Sequence, residues 1–119
     1  MNRRPQHLID KLQQFSLQSI GISSITVAEL QYGVAKSQRK QLNQQRLNEF
    51  LIPFTILPFN ELHTLAYGEI RAQLAQQGEI IGPLDLLIAA HARTEKLILV
   101  TNNEKEFIRV KGLTVENWL

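Results

Sequence analysis

Three acidic residues, Glu29, Asp85 and Glu106, lie close in sequence to the ends of apolar runs that read as strands. Glu29 falls within the first two turns of a helix that follows the run ending at Ser23, Asp85 comes just behind Gly82-Pro83, and Glu106 lies beyond the turn Thr101-Asn102-Asn103. Carboxylates gathered at one edge of a fold repel one another, and a hard divalent cation relieves that repulsion. Mg²⁺ takes few carboxylates and keeps several of its waters. An ion held in this way generates hydroxide and stabilises the leaving oxygen in phosphodiester hydrolysis. Each acid also has a plain structural reading. Asp85 in a first helical turn favours the macrodipole and caps free N–H groups, Glu29 can face solvent beside Val27, Ala28 and Leu30, and Glu104 and Glu106 can be surface charges at a helix start.

The remaining chemistry-bearing residues point less sharply. His91 lies in an apolar helical stretch and reads as a hydrogen-bonded core residue, while His7 and His63 read as helix-surface residues. No phosphate-binding glycine loop and no histidine pair at metal-binding helical spacing is present. Tyr32, Trp118 and the five phenylalanines read as core in preference to base-stacking platforms. There are no cysteines, so neither a disulfide nor a thiolate metal site is available.

The elements that must position the acids follow from periodicity. Pro5 to Phe15 reads as a helix, with Leu8, Ile9, Leu12 and Phe15 on one face. Ser19 to Ser23 reads as a strand, followed by a helix capped by Ser24 or Thr26 with Gly33 near its end. Gln38 to Leu51 is amphipathic through Leu42, Leu47, Phe50 and Leu51, and Pro53 stops it. Phe54 to Phe59 is a second strand. Asn60 caps a helix that runs to Gln77 and is ended by Gly78. Gly82-Pro83 opens a helix to about Thr94, Leu97 to Val100 is a third strand, and Leu113 to Val115 is a short last one. Strands apolar on both faces, alternating with helices, predict an α/β fold with a covered parallel sheet. In such sheets ligands bind beyond the carboxyl ends of the strands, where Ser23, Ser24, Asn60, Thr101, Asn102 and Asn103 emerge.

Composition sets outer bounds. With 119 residues, 44% hydrophobic and 20% charged, the chain is of ordinary globular composition and is expected to form one domain over residues 1–119. The net charge of +2 permits a polyanionic partner without demanding one. Its basic residues cluster as Arg3 and Arg4, as Lys36, Arg39 and Lys40, and as Arg109 and Lys111, groups that also read simply as solvated faces and helix ends. The most apolar stretch, Leu84 to Ala92, is interrupted by Asp85 and His91 and is too short to span a bilayer. With no signal peptide evident and no cysteine, a cytoplasmic location without membrane contact is the expectation.

Four phrases together carry a family resemblance. Ile22-Ser23-Ser24-Ile25-Thr26-Val27-Ala28-Glu29-Leu30-Gln31-Tyr32-Gly33 resembles the second strand and following helix of VapC-type PIN domains, whose phrase is close to S-x-x-T-x-x-E-L-x-x-G. Ile81-Gly82-Pro83-Leu84-Asp85-Leu86-Leu87-Ile88-Ala89-Ala90-His91-Ala92 resembles I-G-x-x-D-x-L-I-A-A-H-A. Leu99 to Phe107 resembles L-V-T-x-N-x-x-[DE]-F, and Val110 to Trp118 resembles V-x-G-L-x-[VL]-E-[DN]-W. Each phrase alone is weak, but four in order are specific. The resemblance implies a PIN-like parallel sheet flanked by helices, with acidic residues holding Mg²⁺ or Mn²⁺. It implies an endoribonuclease of a type II toxin–antitoxin system acting on tRNA or other structured RNA. A cognate antitoxin and a homodimer are implied with it. It assigns Glu29, Asp85 and Glu106 to catalytic metal-binding positions and Thr101 and Asn103 to supporting ones.

The opening departs from the pattern. Family members begin with a short apolar strand ending in Asp, typically L-D-T-N, whereas Met1-Asn2-Arg3-Arg4-Pro5 resembles the segment after it. Asp10, mid-helix beside Ile9 and Leu12, cannot replace that aspartate. The resemblance therefore predicts a fold whose first central strand is missing, with a gap between the strands at Ile20 and Leu97. It leaves open whether the chain is an active enzyme, because one principal metal-ligand Asp is absent. The alternative is an inactive, truncated PIN fragment that acts at most as an antitoxin-binding module.

Overall fold

The computed structural model describes residues 10, 11, 13–15 and 19–118. His7 and most of the helix expected over Pro5 to Phe15 lie outside the described residues. The chain divides into two compact units, Leu12–Pro58 and a larger one built on Phe59–Leu119 together with Met1–Lys11.

In the smaller unit, β1 (Gly21–Ser23) leads directly into α1 (Ser24–Ala35), followed by α2 (Lys40–Leu51) and β2 (Thr55–Leu57). Ser23, one residue earlier than expected, is the N-cap of α1, its Oγ accepting from the Ile25 N–H at 3.1 Å. The helix runs through Gly33 to Ala35. β1 and β2 pair in parallel, with Gly21 opposite Thr55 and Ser23 opposite Leu57. The α1–α2 pair supplies the crossover that parallel pairing requires. The apolar positions of α2 are only partly covered: Leu47 is buried, but Leu42 and Phe50 are exposed.

In the larger unit, Asn60 caps a 3₁₀ turn, Glu61–His63, that continues into α3 (Thr64–Gln76). Gly78 follows at φ +67°, a left-handed conformation that suits glycine at a helix end. Then come α4 (Pro83–Glu95), β3 (Ile98–Val100), α5 (Glu104–Phe107) and β4 (Thr114–Glu116). Pro83 opens α4, where its missing N–H is harmless. β3 and β4 pair in parallel from Ile98–Thr114 to Val100–Glu116. Ile70, Leu74, Ile81, Leu86, Ala89, Ala90, Phe107 and Val110 form the core, with helices α3 and α4 packed together around it.

The α/β class and the parallel pairing agree with the sequence reading. The strands expected at Ile20, Phe54 and Leu97 do not share one sheet, however: they fall into two separate two-stranded ladders, β1–β2 and β3–β4. In β3, Ile98 and Val100 share one face and are exposed while Leu99 on the other packs against the core, and Ile56 of β2 is exposed as well, so these strands are not covered on both faces.

Candidate active site

Asp85 and Glu106 belong to the larger unit, and the apolar core anchors both. Leu86, next to Asp85, and Phe107, next to Glu106, are buried in the same cluster, so each carboxylate is borne at its margin and each is only partly exposed. Asp85 lies in the first turn of α4, whose N-cap Gly82 offers no side-chain cap. The Asp85 Oδ2 folds back over Gly82, 3.5 Å from where a Cβ at that position would lie. A carboxylate in this turn is favoured by the helix dipole, which stabilises its charged form without determining what else it binds.

Glu106 is oriented by a short chain of hydrogen bonds that starts where β3 ends. The Thr101 N–H donates to the Glu116 carbonyl at 3.0 Å, tying the strand end to β4. The Thr101 Oγ1 accepts from the Asn103 N–H at 3.0 Å, and the Asn103 Nδ2 donates to Glu106 Oε2, also at 3.0 Å. The two polar residues singled out in the sequence therefore act in series on the third acid. Neighbouring Glu104 faces a different partner, its Oε1 accepting from Asn117 Nδ2 at 3.4 Å.

Glu29 belongs to the smaller unit, exposed in the second turn of α1. Among the described residues, no group of three or more His, Asp or Glu side chains is gathered in a way that would hold a metal ion. The donors nevertheless suit a hard cation in kind. Mg²⁺ binds through one or two carboxylates, retained waters and substrate phosphates, and does not need a closed protein cage.

The sequence reading missed a second polar cluster. His63 is buried, not on a helix surface, at 1% exposure. Its Nδ1 accepts from the Asn60 N–H at 3.0 Å, completing a capping box, while its Nε2 meets Glu95 Oε2 at 2.7 Å. Because the backbone N–H occupies Nδ1, the ring proton is assigned to Nε2, which donates to Glu95. The His63 ring lies 4.2 Å from that of His91, and Phe59 stands 5.2 and 5.8 Å from the two. His91 is buried as expected. Burial holds its pKa below the usual histidine value; positive charge on His63 pushes the same way, and Glu95 pulls against it. Two signals were available in the sequence: Asn60 and His63 at capping-box spacing, and His91 and Glu95 one helical turn apart.

Elsewhere, Arg93 ties α4 to its surroundings, donating to Glu69 Oε1 at 3.0 Å and to the Lys111 carbonyl at 3.3 Å. Among the described residues no helix is long and apolar enough to cross a membrane.

Known proteins resemble this chain in sequence and in fold. A "Ribonuclease VapC2" of Rickettsia felis is 48% identical over 119 residues, covering 99% of this chain and 89% of that protein. A "tRNA(fMet)-specific endonuclease VapC" of Shigella flexneri is 45% identical over 97 residues, covering 82% of this chain and 74% of its own. The crystal structure of VapBC2 from Rickettsia felis bound to a DNA fragment from its promoter superposes with a TM-score of 0.89 at 47% identity, covering 97% of this chain and 87% of the other. A PIN domain model matches residues 2–113, a stretch that runs through both compact units. On this agreement of sequence and fold, the chain belongs to the PIN-domain family.

Proposed function

We propose that this protein is an endoribonuclease of the VapC type, the toxin of a toxin–antitoxin pair, cutting RNA phosphodiester bonds with Mg²⁺ or Mn²⁺. The observation that carries the reading is the near-half identity to the Rickettsia felis ribonuclease across almost the whole chain, the stretch that includes all three acids. The Shigella flexneri relative supports tRNA as the substrate class, and the Rickettsia felis complex supports an antitoxin partner whose complex with the toxin binds DNA. A homodimer belongs to the same reading, and gel filtration with light scattering checks it.

Asp85 and Glu106, with Glu29 as the third acid, would hold the cation. When bound, it supplies a water nucleophile at neutral pH and stabilises charge on the phosphate and leaving oxygen. The chain's own contribution is positional. Asn103 fixes which oxygen of Glu106 is left for other partners, Thr101 holds the Asn103 backbone, and the first turn of α4 carries Asp85 at the margin of the core. The test is cleavage of total RNA and of purified tRNA with Mg²⁺ or Mn²⁺, against EDTA and against Asp85→Asn and Glu106→Gln. Loss of cleavage in all three supports the mechanism. Cleavage that survives both EDTA and Asp85→Asn removes it.

A second reading has one observation in its favour: the described residues gather no trio of metal-binding side chains. On that reading the chain is a catalytically inactive PIN module that retains antitoxin binding. Capture of a cognate antitoxin, together with no metal-dependent cleavage of any RNA, would select this reading over the first.

A further inference from the structure

The basic group around the α1–α2 turn is not explained by the fold. From Leu30 to Asn48 there is no acidic residue, but there are four basic ones, Lys36, Arg39, Lys40 and Arg46. All four are exposed, and among the described residues none is in an ion pair with a carboxylate. Two of them sit where they work against local stability. Arg39 is the N-cap of α2 without a side-chain bond, and Lys40 is its first residue, with no acid in the first turn; the dipole there favours negative charge. Selection for a stable hairpin alone would not place cations at that end.

The turn that presents them is well built. The Lys36 and Ser37 N–H groups bond to the carbonyls of Tyr32 and Val34 at 3.1 and 3.0 Å. Ser37 Oγ donates to the Val34 carbonyl at 2.7 Å and accepts from Asn43 Nδ2 at 3.0 Å. Lys36 Nζ lies 5.1 Å from the centroid of the Tyr32 ring, which is 66% exposed and so is not the core residue its type suggested. Glu29, Tyr32 and Lys36 stand at i, i+3 and i+7 on one face of α1. The rise of the helix puts Lys36 about 10 Å along that face from Glu29. Around the cations the exposed side chains include the amides Gln38 and Gln41. Cations interspersed with neutral amides, beside the exposed Tyr32 and Leu42, suit a phosphate backbone.

We infer that Lys36, Arg39 and Lys40, with Tyr32 beside them, form a grip for the phosphate backbone of RNA two helical turns from Glu29. This rests on the ribonuclease reading. The grip adds affinity and orientation without reading sequence, since phosphate contacts position and base contacts specify.

The test uses the full chain carrying Asp85→Asn, so that bound RNA is not cut, and a labelled unstructured RNA 20-mer titrated across a range of salt. The triple variant Lys36→Gln, Arg39→Gln, Lys40→Gln removes three phosphate contacts. For single strands the log–log salt slope is about 0.7 per contact, so it should become shallower by about 2, and affinity at 0.15 M salt should fall roughly 30–60-fold. The charge-preserving Lys36→Arg, Arg39→Lys, Lys40→Arg variant should keep the original slope. Circular dichroism confirms that both variants fold, since all three side chains are exposed. An unchanged slope in the neutralised variant overturns the grip. So does loss of binding to a poly-glutamate peptide with RNA binding intact, which marks the turn as a surface for an acidic protein. Metal-dependent cleavage by the unsubstituted chain separates the two failures. If cleavage is present and the slope is unchanged, only the grip is wrong; if there is neither cleavage nor RNA binding, the ribonuclease reading falls with it.

Discussion

Replacing His63 by leucine tests whether the buried histidine cluster holds the 3₁₀ turn and α3 to α4. Leucine keeps most of the ring's volume but loses both of its hydrogen bonds, from the Asn60 N–H at 3.0 Å and to Glu95 at 2.7 Å. A hydrogen bond to a charged group contributes about 1.5–3 kcal/mol and a neutral one about 0.5–1.5. The Glu95 side chain is 40% exposed and regains water when the ring is removed, so the lower end applies. Lost ring contacts with His91 and Phe59 add roughly 0.5–1 kcal/mol. Together these predict a loss of about 2–3 kcal/mol and a fall in Tm of roughly 6–15 °C for a chain of this length. The assay is urea unfolding with a thermal scan, in which the midpoint should move while the slope stays constant. Glu95→Gln leaves the Nε2–H an acceptor, so its cost should be under half that of His63→Leu. A change in Tm of less than 2 °C for His63→Leu would refute the account. Equal losses for the two substitutions would show that the charge of Glu95, and not the buried ring, carries the effect.

Three further outcomes are expected. His91 has a lowered pKa in the folded state, caused first by burial and then by His63. Between that lowered value and the usual value near 6.5 the unfolded chain binds more protons, so stability should be fully present above about pH 6.5 and decline as the pH falls toward the lowered value. Urea unfolding at pH 7.5, 6.5 and 5.5 checks this, and His91→Gln should flatten the dependence. Gly112 adopts φ +80° with Arg93 Cδ 3.3 Å from the position of an added Cβ, so Gly112→Ala should cost about 1–2 kcal/mol by chemical denaturation. Lys96 ends α4 in the left-handed region at φ 57° with no glycine to ease it, so Lys96→Gly should raise stability by a few tenths to about 1 kcal/mol.

Most of what is local in this protein is legible in its residues alone. Gly82-Pro83 opens α4, Asn60 caps the turn before α3 and Gly78 ends that helix, because each depends on the backbone freedom or side-chain reach of one residue over a few neighbours. The four ordered phrases, and with them the PIN family, were legible for the same reason: Asp85 and the run from Thr101 to Glu106 keep their spacing along the chain. What depends on distant partners emerges only in the folded chain. Leu97 to Val100 reads as a strand covered on both faces, yet Ile98 and Val100 are exposed and only Leu99 packs on the core, since what lies against each face is not written in the strand's own residues. His63 sits in a polar, helix-starting context that suggests a surface position. It is buried because Glu95, 32 residues away, supplies the acceptor that lets a polar ring enter the core. Tyr32 shows the converse, an aromatic residue whose type suggests core but which is 66% exposed, with Lys36 over its ring.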